Sequence, residues 1–467
     1  MIGAGPGGLV AARWLLSQGF EPTLFEQAPV LGGQWAALDG HSGVWPTMHT
    51  NSSRIVTAFS DLAHDTDSPY PSNRDVLTYL RRYADMFELP SRIRFGTRVD
   101  LPQRVDDGWV LDHCGTRERF DRVVVAPGRF HAPAIPKVLG LETFSGSLGY
   151  KSTYHYRGPA PYLGKRVLVA GGAISALEVA TDLARSGAAR VTVTQRRQRY
   201  VLPKFVAGVP SDHRMFTRYH ALADESLPTE EFDCQLRQLV VEAGGDPADY
   251  GAPASHPSLA EAGLTLNEGF LPLVARRRIL LRPWMKSVTG SCVVFNDGHA
   301  DEVDAIVFST GYRLSLPFLD ADIRALLNID TTHFDADRYT FHPGLPGLAF
   351  MGLWDQSGGY FVPLELQARW IAYSWSGAAP AGPDQRRSLD ASRAGHGTKT
   401  RMDRVAVTFA RAAGVEPRLE NWPQLRRALL FGPLAPSSFR LQGPDARPDA
   451  PAEFARDAAA FGCNHIQ

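Results

Sequence analysis

The chain has 467 residues, enough for two or three domains, and its 49 lysines plus arginines balance 49 acidic residues at zero formal net charge. That balance excludes the basic surplus of a nucleic-acid-binding surface, and no uninterrupted apolar run approaches the length of a membrane span. The four cysteines, Cys114, Cys234, Cys292 and Cys463, are too scattered for a metal site or a redox pair, so no metal is expected and a reducing cytoplasm is.

The first element is a glycine turn. Gly3, Gly5 and Gly8 fit G-x-G-x-x-G, with Pro6 and Gly7 between them. The first glycine allows a tight turn out of a strand, the second a close backbone approach to a pyrophosphate, and the third close helix–strand packing. Residues 9–19 read as a helix with Leu9, Val10, Trp14, Leu15 and Leu16 on one stripe and Gly19 as its stop. A strand over 21–25 ends on Glu26, at the distance expected of a carboxylate that binds a ribose hydroxyl. The apolar start lacks the charged region of a signal peptide. A turn of this kind should follow a strand of about five residues, yet only Met1 and Ile2 precede Gly3, so the true start is expected upstream. An intact mass beginning at Met1 in the native protein would refute that.

Gly32-Gly33-Gln34-Trp35 lets backbone approach a flat ligand, with Trp35 as a wall. The next forty residues read as an ordered excursion over the first site. Within it, His49-Thr50-Asn51-Ser52-Ser53 reads as a cap for a helix holding Ile55, Val56 and Phe59, and residues 75–84 as an amphipathic helix. Ile93-Arg94-Phe95, Val99 and Trp109-Val110-Leu111 read as a meander, closing at the buried strand of residues 121–128, which returns to the first sheet.

Residues 165–180 repeat the strand–turn–helix pattern. Gly171 and Ala176 keep the outer positions, with Gly172 and Ser175 inside the turn, but Ala173 replaces the middle glycine. The following strand, 190–194, ends on Gln195-Arg196-Arg197 rather than an acid, which suits the 2′-phosphate of NADP. Residues 201–275 read as a partly helical insertion bordering the substrate. Strands follow at 279–281 and 292–295, with a turn at Asp297-Gly298; residues 304–312 form a buried strand crossing back to the first domain. A strand at 347–352 and a helix from Pro363 come next, and residues 378–467 are helical near 385–412 and 422–430 with a poorly ordered tail and no chemistry. The fold class is therefore α/β with two Rossmann-like dinucleotide-binding domains.

Phe144-Ser145-Gly146-Ser147-Leu148-Gly149-Tyr150-Lys151-Ser152-Thr153-Tyr154 resembles the F-x-G-x-x-x-H-x-x-x-[YF] fingerprint of the flavin-containing monooxygenases, with Tyr150 in place of histidine. Gly3–Gly8, Glu26, residues 32–35, Thr50-Asn51, Ala126-Pro127-Gly128, Thr310-Gly311-Tyr312 and Glu365-Leu366-Gln367 fall where that family carries its motifs, in order, so the resemblance covers residues 1–380. It implies an FAD-binding domain of residues 1–155 and 304–467, into which an NADPH-binding domain of residues 156–303 is inserted. It also implies that NADPH reduces the flavin, that dioxygen adds to give a C4a-(hydro)peroxyflavin, and that one oxygen passes to nitrogen or sulfur of a small organic substrate.

By the same resemblance Asn51 hydrogen-bonds the nicotinamide and the flavin peroxide, and Arg196, assisted by Arg197, clamps the 2′-phosphate. Gln27, Gly33, Gln34, Trp35, Thr50, Val99 and Gln367 join the FAD set, and Tyr150 and Tyr154 the NADPH set. Tyr150 and Ala173 both fall on the NADPH side, where they alter cofactor grip. Baeyer–Villiger insertion next to a ketone is the alternative on this scaffold. A disulfide oxidoreductase needs a cysteine pair that is missing, and a flavoprotein that has lost NADPH binding is the non-catalytic reading. No nucleic-acid or membrane partner is expected, and a homodimer is one assembly state the residues leave open.

Overall fold

The computed structural model describes residues 1–40, 42–106, 108–380 and 400–462. Its first sheet is parallel and centred on a single residue. Ile2 bridges to Phe25 on one side and Val125 on the other; Leu24–Phe25 pairs with Ile93–Arg94, and Val123–Val125 with Leu348–Phe350. Ile93 and Arg94 are thus an outer strand of this sheet, not part of the meander. A two-residue strand has no alternation by which a sequence could assign it. The meander itself comprises Val99–Val105, Gly108–His113 and Thr116–Phe120.

Helix α1 (Pro6–Ser17) starts with proline at its first turn, where the missing N–H costs nothing. Its buried Leu9, Val10, Trp14 and Leu15 are each worth about 1.5–3 kcal/mol on burial, and they join a core shared with helices Phe361–Ser376 and Met402–Ala413. Helix α2 (Asn73–Met86) covers the expected amphipathic stretch and is fixed by a capping box between Ser72 and Asp75.

The second sheet is also parallel, in the order Ile279–Pro283, Arg190–Gln195, Arg166–Ala170, Ala305–Phe308, Tyr150–Ser152. Helix α3 (Ile174–Arg185) follows its central strand. Both sheets place the glycine-turn strand in the middle, so each has a crevice at the carboxyl ends of its strands. Strands Tyr150–Ser152 and Ala305–Phe308 lie in ranges expected to belong to the first domain, and both pair with the second sheet. The turn expected at Asp297-Gly298 joins strands Cys292–Phe295 and Ala300–Glu302.

Residues 201–275 are helical in part, as expected, with Arg218–Ser226 and Thr229–Gly244 the longest pieces. Other expectations fail. Residues 54–57 form turns, not a helix, because Ile55, Val56 and Phe59 are held by contacts of the excursion with distant elements. The described part of the tail is ordered: Ala450–Ala459 is a helix whose Phe454 is fully buried against Leu425, Leu429 and Leu441. The helix expected near 422–430 is a short one, Arg426–Phe431, and residues 385–399 and Cys463 lie outside the described residues.

Candidate functional site

The two glycine turns are built alike. Gly3 has φ +101°, and a Cβ there would stand 2.3 Å from the Ala126 carbonyl oxygen; Gly171 has φ +142° and a Cβ would stand 2.3 Å from that of Ser309. A Cβ on Gly8 would be 2.0 Å from the Gly3 carbonyl oxygen. Those three glycines are required by the protein's own packing. Gly5 differs, because its nearest neighbour to a Cβ is Gly33 Cα at 3.5 Å, an ordinary contact. The protein leaves room at Gly5, which is what close approach of a pyrophosphate needs. Ala173 has the same extended backbone as Gly5 and begins α3 as Gly5 begins α1, so its methyl projects where the second nucleotide would approach.

Glu26 is buried at the end of its strand. Its carboxylate accepts the N–H of Ala4 at 2.8 Å and that of Ala28 at 2.9 Å, and the lone pairs left on each oxygen suit a ribose diol. Gly33, Gln34 and Trp35 form a short 3-10 turn against Gly5, while Gln27 is exposed. Val99 is buried at the start of the meander. Gln367 is used internally: its oxygen accepts the Gly352 N–H at 2.9 Å, and its amide donates to Thr340 Oγ1 at 2.7 Å and the Phe350 carbonyl at 3.0 Å. It shapes the turn after strand Leu348–Phe350 rather than offering a free amide.

Asn51 is the one expected site residue with a buried side-chain polar atom that lacks a hydrogen-bond partner among the described residues, its Oδ1. A buried amide oxygen left bare costs about 1–3 kcal/mol, so a ligand donor is the natural partner. Its neighbours are pinned, with the Thr50 hydroxyl donating to the Ser52 carbonyl and a Cβ on Gly359 falling 2.7 Å from Ser52 Oγ.

A chain of rings runs between the two folds: Tyr154 to Tyr312 at 6.2 Å, Tyr312 to Phe130 at 5.5 Å, Phe130 to Tyr360 at 5.8 Å and Tyr360 to Trp354 at 5.9 Å. It joins the fingerprint, the two crossing turns and the start of the Phe361 helix, and it keeps that region apolar. Burial raises the Tyr312 hydroxyl to a pKa of about 12, helped by the neighbouring Tyr154, so it stays protonated and able to donate. Tyr150 is exposed on its strand with its ring edge-on to Phe308.

On the second fold, Gly172 is confined by the Gln195 side chain, whose oxygen a Cβ would approach to 2.6 Å. Ser175 lies in the first turn of α3. Arg196 is exposed and stacks over Trp284, 5.0 Å from the ring centroid, which holds its guanidinium at the end of its strand. Arg197 instead donates to the Glu261 carbonyl. Lys204, Asp212 and His213 also reach the Asn51 segment, and the sequence reading passed over them. Their partners lie 154 to 160 positions away, and no local pattern marks them.

Among the described residues no cluster of histidine, cysteine, aspartate or glutamate fits a metal ion, and no helix is long and apolar enough to cross a membrane. A family model described as flavin-binding monooxygenase-like matches residues 1–453. Dimethylaniline monooxygenase (N-oxide-forming) 2 of Oryctolagus cuniculus is 28% identical over 480 residues, covering 95% of this chain and 88% of that protein. The S-allyl-L-cysteine S-oxygenase of Allium sativum shares the fold at a TM-score of 0.65 and 21% identity, over 97% of this chain and 98% of its own. Cyclohexanone monooxygenase of Rhodococcus sp. Phi1, solved bound to NADP+, does so at 0.61 and 20%, over 83% and 87%. With two nucleotide turns in register and a family match spanning both, the chain belongs to the flavin-binding monooxygenases.

Proposed function

We propose that this monooxygenase transfers one atom of dioxygen to a soft nitrogen or sulfur nucleophile of a small organic substrate. FAD and NADPH are its cofactors, and the reduced flavin supplies the activation of dioxygen. The observation that carries the reading is the buried, unpartnered Asn51 oxygen in a chain whose two glycine turns have matched geometry.

The first turn, Gly3–Gly8, with Glu26 on the ribose, holds FAD, and the turn at Gly171–Ser175 holds NADPH. The NADPH unit is an insertion in the FAD unit, bracketed by strands Tyr150–Ser152 and Ala305–Phe308. Asn51 orients the nicotinamide and the reacting flavin edge, while the ring chain from Tyr154 to Trp354 excludes water that would divert the oxidant. Phe216 of the insertion lies 3.2 Å from where a Cβ on Gly358 would be, so the insertion and the Trp354–Val362 loop together wall the substrate side.

Two measurements address this reading. Arg196→Ala is expected to raise the KM for NADPH by about 10-fold to 100-fold, the worth of a charge-assisted hydrogen bond, and to leave NADH nearly unchanged. Equal losses for both would refute the 2′-phosphate role. Turnover under isotopically labelled dioxygen with a tertiary amine, a thioether and a cyclic ketone should give an N-oxide or sulfoxide carrying one labelled atom. An ester from the ketone as the main product would replace the reading with Baeyer–Villiger insertion.

A further inference from the structure

The segment that carries Asn51 is held from two sides by groups no motif marks. On one side Lys204, between strands Tyr200–Leu202 and Phe205–Val206, donates from Nζ to the Thr50 carbonyl at 3.0 Å. The same ammonium lies 3.4 Å from Glu178 Oε1 of α3, and each side chain is only 15% exposed. One turn further along that face of α3, Asp182 Oδ2 accepts from the Thr47 hydroxyl at 3.3 Å and from the Tyr156 hydroxyl at 2.9 Å. On the other side, the Ser53 N–H donates to Asp212 Oδ2 at 2.6 Å, and Ser53 Oγ lies 3.0 Å from His213 Nε2. Lys204 is itself fixed, its carbonyl accepting the Ser211 N–H at 2.8 Å and the Tyr70 hydroxyl.

These contacts form a polar strut from the helix of the second nucleotide fold to the backbone next to Asn51. The single ammonium of Lys204 holds two acceptors at once, a carboxylate on α3 and a carbonyl one residue before Asn51, so it ties the one to the other. We propose that Lys204 is a positioning residue, which, by bridging Glu178 to the Thr50 carbonyl, sets the Asn51 amide in register with the nucleotide bound at α3. The proposal rests on the reading that Asn51 meets the flavin and nicotinamide. Lys204 takes no part in the oxygen transfer itself.

Removing Lys204 alone would leave Glu178 buried without its partner, so the test uses the paired variant Lys204→Met with Glu178→Gln, together with Lys204→Arg, in FAD-loaded enzyme. Hydrogen exchange at Thr50–Ser53 is followed with and without NADP+, alongside flavin content and the share of NADPH lost as hydrogen peroxide. The paired variant should keep its flavin, lose about tenfold or more of the protection that NADP+ gives those amides, and release correspondingly more peroxide. Lys204→Arg should restore both, because it can still donate to the carboxylate and the carbonyl.

Protection and coupling unchanged in the paired variant would overturn the proposal. Asn51→Ala, run in parallel, separates the two ideas: uncoupling there with normal behaviour in the paired variant defeats the strut alone. Normal coupling in Asn51→Ala defeats the role of Asn51 and the strut with it. If the paired variant does not hold flavin, Glu178→Gln is read in the same way, raised exchange and peroxide supporting the strut and no change in either overturning it.

Discussion

Gly5→Ala is expected to yield a folded protein that purifies with clearly less flavin than the parent. A methyl at this position meets only Gly33, its Cα at 3.5 Å and its N at 3.8 Å, so the apoprotein accepts it without strain, and the φ of −78° suits any residue. The methyl instead occupies the space proposed for the pyrophosphate. A loss of about 10-fold to 100-fold in FAD affinity, or about 1.4–2.8 kcal/mol, follows from an added carbon at such a close approach. Gly3→Ala is the contrast, since its methyl would strike the Ala126 carbonyl at 2.3 Å from a positive φ, and it should lower stability whether or not flavin is present. The measurement is flavin absorbance per polypeptide together with apoprotein unfolding. Full flavin retention in Gly5→Ala would move the cofactor away from this turn.

The second large effect is on stability. The Asp61 side chain is 7% exposed and lies between two arginines, with Arg13 Nε at 2.7 Å and Arg440 Nη1 at 3.3 Å. Arg440 also reaches Asp445 at 3.5 Å, and Asp445 pairs with the fully buried Arg369 at 2.7 Å. All three guanidinium groups cluster on the Trp14 ring, 3.8, 5.0 and 5.1 Å from its centroid. Glu365 completes the set by accepting the Ser60 N–H at 2.7 Å, and burial, with the Asp61 charge beside it, lifts its carboxyl above the usual range. The network fastens the C-terminal segment to α1 and the Phe361 helix.

Asp61→Ala takes the carboxylate from Arg13 and leaves Arg440 only the carboxylate of Asp445, at 3.5 Å, and removing one partner of a buried pair costs about 3–5 kcal/mol. The unfolding midpoint in urea should fall accordingly, with Asp61→Asn intermediate because it still accepts one hydrogen bond. A change below about 1 kcal/mol would mean that water or Asp445 takes over both arginines.

Much of the nucleotide-binding framework was legible because it is local. The turns at Gly3–Gly8 and Gly171–Ala176, the strands after them and the acid-versus-arginine difference at Glu26 and Arg196 are each set within about thirty residues, as a βαβ unit is. Asn51 became a candidate only through family resemblance; its own neighbourhood read as a helix cap, and the helix it would cap is not there. What the sequence hid is long-range. Arg440 and Asp61 are 379 positions apart, and Lys204 and Thr50 are 154 apart, so neither pairing leaves a periodic trace. Ile93 and Arg94 were misplaced because a two-residue strand is defined only by its partner. The Ala450–Ala459 helix was missed because its Ala- and Pro-rich composition hides a single buried anchor, Phe454.

In the function proposed above, a flavin held at Gly3–Gly8 is reduced by a nucleotide held at α3 and then passes oxygen on from a dry site. Anaerobic mixing of the purified FAD-loaded protein with NADPH, followed by air, tests this through the flavin spectrum. The expected course is full bleaching under NADPH, then on aeration a long-lived spectrum that is neither oxidised nor reduced and decays faster when a thioether is added. Flavin that stays oxidised under NADPH would contradict the account at its first step.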